Sequence, residues 1–175
     1  MKKIHLSCFF MLLLFSFAVN AQTAGDYQSF ANGNWNNSAT WQRFDGISFV
    51  PAANAPANTD GIITIRTGHN VTINTAVTAD QIVIDAGGAL TQTADLILAN
   101  GAGDDLLVNG TYDLQANMLA GPGSVLLQAG SQMIISTASL KQLQNVAITN
   151  SGNINWQDGN IRFDAPNSTL INNGT

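Results

Sequence analysis

Apolar residues recur along this chain in a gapped pattern: apolar, any, apolar, two residues, glycine, two residues, apolar. It runs Ile63-x-Ile65-x-x-Gly68-x-x-Val71, returns as Ile82-x-Ile84-x-x-Gly87-x-x-Leu90, and appears again as Val125-x-Leu127-x-x-Gly130-x-x-Met133. Two looser copies exist. Leu106-x-Val108-x-Gly110-x-Tyr112 is one residue shorter, and Val146-x-Ile148-x-x-x-Gly152-x-Ile154 is one longer before its glycine. The copies start at residues 63, 82, 106, 125 and 146, and short alternating runs such as Val71-Thr72-Ile73 and Leu96-Ile97-Leu98 lie between them. Period-two alternation buries one face of each run and wets the other. A unit this small cannot bury its own apolar side chains, but stacked units place each Ile or Val above its counterpart and build one continuous core. The pattern predicts an all-β chain folded as a right-handed parallel β-helix over residues 61–175. The glycines mark corners where a chain turning between short strands needs a positive φ. An antiparallel sandwich also shows short strands with turn signals; repetition of the whole gapped unit favours the solenoid.

The segment before residue 61 has a different pattern. It concentrates aromatics at Phe30, Trp35, Trp41, Phe44 and Phe49. Phe44-Asp45-Gly46-Ile47 predicts a hairpin turn, and Pro51 and Pro56 with surrounding Ala and Asn form a linker-like stretch. A solenoid must cover its open end, because an exposed core and unpaired edge recruit other chains. Residues 22–60 are therefore expected to form an N-terminal aromatic cap and linker. Trp35 and Trp41 are also candidate binding residues, since exposed indoles make a sugar-stacking platform, although buried aromatics are the commoner case.

The first residues bear on compartment. Lys2 and Lys3 precede an apolar run from Phe9 to Val19, and Val19-Asn20-Ala21 has the small residues a signal peptidase reads. Residues 1–21 are expected to be a secretory signal peptide, too short in its apolar part for a membrane span. The sole cysteine, Cys8, lies within it, so the mature chain has neither a disulfide nor a thiolate ligand. Of six basic residues two are in the leader, and all eleven acidic residues are Asp, which leaves the mature chain at −7. The absence of Glu and the abundance of Gly, Asn and Asp fit strands and turns rather than helices. An acidic chain without basic clusters argues against nucleic acid as a partner.

Gly33-x-Trp35-x-x-x-x-Thr40-Trp41, then Pro56, then Asp60-Gly61-Ile62-x-x-x-Arg66-x-Gly68-His69-x-Val71 and the glycine-bearing units resemble a known pattern. It is that of the N-terminal region of large secreted bacterial proteins exported by the type IX route, and it is similar to the eight-glycine domain of extracellular proteins. The resemblance covers about half of the mature chain and rests on Gly, Trp and apolar spacing, which report fold more than chemistry. Because the animal members accompany hyaluronan binding and breakdown, it implies a polysaccharide or cell-surface glycan as ligand. Asn172-Asn173-Gly174-Thr175 reads as the opening of another turn, so the chain is expected to be part of a longer protein with further domains.

Chemistry-bearing residues are sparse. His69 is the sole mature histidine and sits in a turn, with no triad apparent around it. Asn100-Gly101-Ala102-Gly103-Asp104-Asp105-Leu106 resembles a single calcium-binding nonapeptide repeat, making Asp104 and Asp105 candidate calcium ligands; no other cofactor is indicated. Glycoside hydrolysis needs two carboxylates about 5–9.5 Å apart. The candidates are Asp85, Asp113, Asp158 and Asp164 with Arg66 and Arg162 as charge partners, and Asp85 and Asp113 are the candidate binding residues. Stacking could bring Asp85 near Asp104 or Asp105. The expected function is a secreted or cell-surface structural or adhesive module, with polysaccharide binding. The alternative is the N-terminal part of a carbohydrate-active enzyme, a polysaccharide lyase or glycoside hydrolase.

Overall fold

The computed structural model describes residues 22–101, 103–164 and 167–175; the signal peptide assigned to residues 1–21 lies outside them. The chain is a right-handed parallel β-helix of five full turns, each made of three short strands. The first turn holds β5 (Ile63–Ile65), β6 (Asn70–Ile73) and β7 (Val77–Ala79), and the second β8 (Ile82–Ile84), β9 (Ala89–Gln92) and β10 (Leu96–Leu98). The third holds β11 (Leu106–Val108), β12 (Thr111–Leu114) and β13 (Asn117–Ala120). The fourth holds β14 (Ser124–Leu127), β15 (Gln132–Ile135) and β16 (Lys141–Gln144), and the fifth β17 (Ala147–Asn150), β18 (Asn153–Trp156) and β19 (Ile161–Phe163). A last strand, β20 (Thr169–Asn172), opens one more turn.

Before them come β1 (Tyr27–Ser29), β2 (Gly33–Asn34), β3 (Trp41–Phe44) and β4 (Phe49–Pro51), with a 3-10 turn at Ser38–Thr40. The expected cap is therefore partly a turn of the helix. β1 pairs parallel with β5 and β2 with β6, while β3 and β4 add an antiparallel hairpin to β1. The hairpin turn falls where predicted. Gly46 has φ +104, and Asp45 Oδ1 accepts the Ile47 and Ser48 N–H groups, both at 2.8 Å. Those bonds, the Ser48 one foremost, hold the Asp45 carboxyl below its usual range.

The interior is built of columns one residue wide. In the first, nine-stranded sheet, Ile63, Ile82, Leu106, Val125 and Ile148 stack in register. In the second, six-stranded sheet, Val71, Leu90, Tyr112, Met133 and Ile154 do so, and in the third, five-stranded sheet, Val77, Leu96, Leu119 and Leu143. Nearly all are buried completely. Polar groups also enter this core, Gln92 among them: its Oε1 accepts the Tyr112 hydroxyl and its Nε2 donates to Met118 O at 2.9 Å. With both its groups bonded, the amide can sit among apolar neighbours.

The fifth copy of the repeat needs a correction. Its first position is Ile148, not Val146, because Ile148 stacks on Val125 and Asn150 on Leu127. The copy is Ile148-x-Asn150-x-Gly152-x-Ile154, the same short form as Leu106-x-Val108-x-Gly110-x-Tyr112. A buried Asn in an apolar column hid the register. Asn150 is satisfied there by donating to Asn172 Oδ1 at 2.6 Å and accepting the Gly152 N–H at 2.9 Å.

The corner glycines divide into two kinds. Gly68, Gly87 and Gly130 have φ of +81, +79 and +88, as expected of a left-handed corner. Gly110 and Gly152 do not; they are required by proximity. A Cβ on Gly110 would stand 2.3 Å from both the Asp85 and the Gly88 carbonyl oxygens, and one on Gly152 2.5 Å from that of Ser131. At the far end, Trp156, Phe163 and Leu170 continue interior columns yet are 56%, 49% and 39% exposed, so that end presents an apolar face. No helix among the described residues is long and apolar enough to cross a membrane.

Candidate functional site

Trp35 and Trp41 serve the cap. They are 2% and 1% exposed and pack edge to face, ring centroids 5.0 Å apart. Trp41 Nε1 donates to Trp35 O at 2.7 Å and Trp35 Nε1 to Pro56 O at 3.1 Å, which fastens the linker over the end of the helix. Neither indole offers an open face on which a sugar could stack. Ser29 and His69 do meet, Oγ to Nδ1 at 2.8 Å, but Ser29 is fully buried and its Oγ also accepts the Arg66 N–H at 2.9 Å. The pair braces two turns; it does not expose a nucleophile.

The acidic candidates are kept apart. Asp85 follows β8 on the first sheet, whereas Asp113 lies on the outer face of β12 in the second sheet, its carboxylate accepting from Gln115 Nε2 (2.7 Å) and Ser136 Oγ (2.7 Å). Asp104 and Asp105 precede β11, so they adjoin the start of β8 while Asp85 adjoins its end; stacking does not join them. Asp164 pairs with Arg162 on the surface, the one ion pair within 4 Å among the described residues. Asp158 holds the Gly159 N–H at 2.7 Å.

What the fold does assemble is a groove of about 320 Å³ on the outside of the first sheet. Its floor is an outward column, Gln28, Thr64 and Val83, in register across β1, β5 and β8. Arg66 and Asp85 stand at one end of these strands, Asp26 and Ile62 at the other, and Phe49 of the hairpin walls the side. The volume lies at the low end of the range for small-ligand sites. Asp26 is committed to the backbone: Oδ1 accepts the Ile62 N–H (2.9 Å) and Oδ2 that of Thr23 (2.7 Å). Asp85 is the carboxylate left for a ligand. Burial raises its carboxyl above the usual range, and the Arg66 charge offsets part of that. Arg66 and Asp85 stand out in the sequence as charges, whereas Gln28 reaches the groove through the extra partial turn and Phe49, expected only as a cap aromatic, through the hairpin.

The raised Asp85 carboxyl has a stability consequence. The folded state holds this proton to higher pH than the unfolded chain, so stability from Asp85 is complete below the unfolded carboxyl range and falls as pH rises through the folded value. Asp85→Asn should therefore raise the urea midpoint at neutral pH and leave it unchanged in strong acid. A lower midpoint at neutral pH would mean that the Arg66 attraction outweighs burial.

At the opposite end of the strands the predicted calcium corner has a different geometry. Asp104 is exposed and Asp105 buried, and Asp105 Oδ2 accepts the Ser124 N–H (2.7 Å) and hydroxyl (2.9 Å). The carboxyl facing Asp105 belongs to Asp80, one turn below, which the sequence did not single out. Burial chiefly, and Asp105 next to it, raise the Asp80 carboxyl against the pull of the Gly101 N–H. Among the described residues no three His, Cys, Asp or Glu side chains gather as a metal site. Comparison of the chain with family models, curated proteins and solved structures returns no match.

Proposed function

We propose that this chain is a secreted or cell-surface β-helix module whose first-sheet groove binds polysaccharide without cleaving it. One observation carries this reading: the groove combines an amide, a hydroxyl, a guanidinium, one uncommitted carboxylate and an aromatic wall in a single cleft. Polar groups that fix hydroxyls beside an apolar surface are what a sugar ring requires. Binding is favoured over hydrolysis because the second carboxylate in the groove, Asp26, is spent on two backbone N–H groups, whereas glycoside cleavage needs two working carboxyls. The resemblance to type IX-exported and eight-glycine proteins supports an extracellular polysaccharide as the ligand class.

The rival reading, the N-terminal part of a carbohydrate-active enzyme, draws on the raised Asp85 carboxyl, since a general acid needs such a shift. A glycan array run beside a reducing-end assay separates the two. The expected result is retention of acidic or neutral polysaccharides with no new reducing ends, and loss of retention in Arg66→Ala. Release of reducing ends that Asp85→Asn abolishes would establish the enzyme instead.

A further inference from the structure

We propose that Asp80 and Asp105 hold a calcium ion between the second and third turns of the helix. Asp105 is 3% exposed, and although its Oδ2 is fully used by Ser124, its Oδ1 is buried with no hydrogen-bond partner. A buried carboxylate oxygen left unpartnered is costly, because it has lost its water without gaining a donor. Asp80 lies one turn below: Ile82 N–H bonds Asp105 O at 2.9 Å, which sets the two acids at the same end of the stacked strands β8 and β11. Two neighbouring acids need a positive charge or a proton between them, and among the described residues no Lys, Arg or His lies within 4 Å of either, the one such ion pair being Arg162 with Asp164.

The surroundings suit a hard cation. The glycine-rich corner closes directly on Asp80: a Cβ on Gly101 would come within 1.8 Å of Asp80 Oδ2, and the Gly101 N–H reaches Oδ1 at 3.3 Å. Gly103, two residues before Asp105, has φ +96, a backbone conformation that glycine adopts without steric cost. Calcium accepts six to eight oxygens, including main-chain carbonyls and water, in irregular geometry, so two carboxylates are enough for its anionic ligands. Magnesium, which demands a near-ideal octahedron, fits such a corner less well. The ion would join one turn to the next through side chains on different strands. Neither Asp80 nor Asp105 lines the groove, so the site stands or falls independently of the glycan reading.

The test is calorimetric titration of the chelator-treated full chain with calcium chloride at neutral pH, alongside thermal melting. The expected result is saturable binding with a Kd of about 10⁻⁴–10⁻³ M, as in extracellular modules, and a melting temperature that rises with calcium. Asp80→Asn should weaken binding at least about tenfold, a loss of about 1.4 kcal/mol. In chelator the same variant should melt above the wild type, because its amide can donate to Asp105 Oδ1. Asp104→Asn should bind calcium nearly as the wild type does. The proposal is overturned by absence of heat with equal melting in calcium and chelator, by an unchanged calcium response in Asp80→Asn, or by carbon-13 carboxyl shifts showing a proton on the pair at neutral pH with calcium present.

Discussion

Replacing Trp41 by alanine should cost about 3–5 kcal/mol, as removal of a large buried aromatic does elsewhere, and lower the melting temperature by about 10 °C for a domain of this size. The indole is 1% exposed, its edge packs on Trp35, and its N–H is bonded to the Trp35 carbonyl at 2.7 Å. Truncation leaves a void and frees that carbonyl at the same time. Because turns of a solenoid contact only their neighbours, damage should begin at this end. Hydrogen exchange should therefore accelerate first in β1, β3 and β5, with β17 and β18, in the turn farthest from the cap, affected last. Glycan retention should survive at temperatures where the cap remains folded. A variant with wild-type stability that has lost glycan binding would mean that Trp41 belongs to a ligand platform.

The second large effect is Gly110→Ala. The new methyl would stand 2.3 Å from two backbone oxygens, Asp85 O and Gly88 O, and neither can rotate away because both belong to the turn below. Relief requires the second and third turns to separate, so the cost should reach about 3 kcal/mol, at the top of the usual overpacking range. Gly130→Ala makes the comparison informative. Its Cβ meets nothing within 4 Å, but its φ is +88, so the penalty is the left-handed backbone alone, about 1–2 kcal/mol. Urea unfolding of the pair should rank Gly110→Ala as the more damaging. The reverse order would mean that the turns are spaced more loosely at Gly110 than the structure has them.

That contrast also shows how far the sequence carried. Strands, columns and corners were legible because stacking imposes the same demand at every turn: Ile63, Ile82, Leu106 and Val125 are alike because each lies on the last. The pattern failed where one turn departed from that demand. Asn150 occupies an apolar column and shifted the fifth copy by two residues. Tyr27-Gln28-Ser29 is a rung strand with no glycine corner, and the hairpin and linker separate it from β5, so it merged into the cap. Lys141 is another departure. It is fully buried, its Nζ donating to the Thr137 and Asp158 carbonyls at 2.5 and 3.2 Å, an arrangement no periodicity announces.

The candidate sites were less legible than the fold for a related reason. Which side chains share a corner depends on the number of residues per turn, and that number varies. Asp105 was visible as an acid in a glycine-rich loop, but its partner Asp80 comes from the turn below. Asp85 and Arg66 were visible as charges, but Phe49 and Gln28 join them only because β4 and β1 extend the same sheet. Trp35 and Trp41 carried two readings until their burial was known.

Amide chemical-shift mapping tests whether the first-sheet groove binds saccharide without cleaving it. Oligosaccharides prepared from a polysaccharide retained on the array would be titrated into the nitrogen-15-labelled protein. Binding in the groove without cleavage should give saturable shifts centred on Gln28, Thr64, Arg66, Val83 and Asp85, with the oligosaccharide signals intact after prolonged incubation. Shifts centred instead on the cap cleft between Phe30 and Pro51, or the appearance of shorter oligosaccharides in the tube, would contradict it.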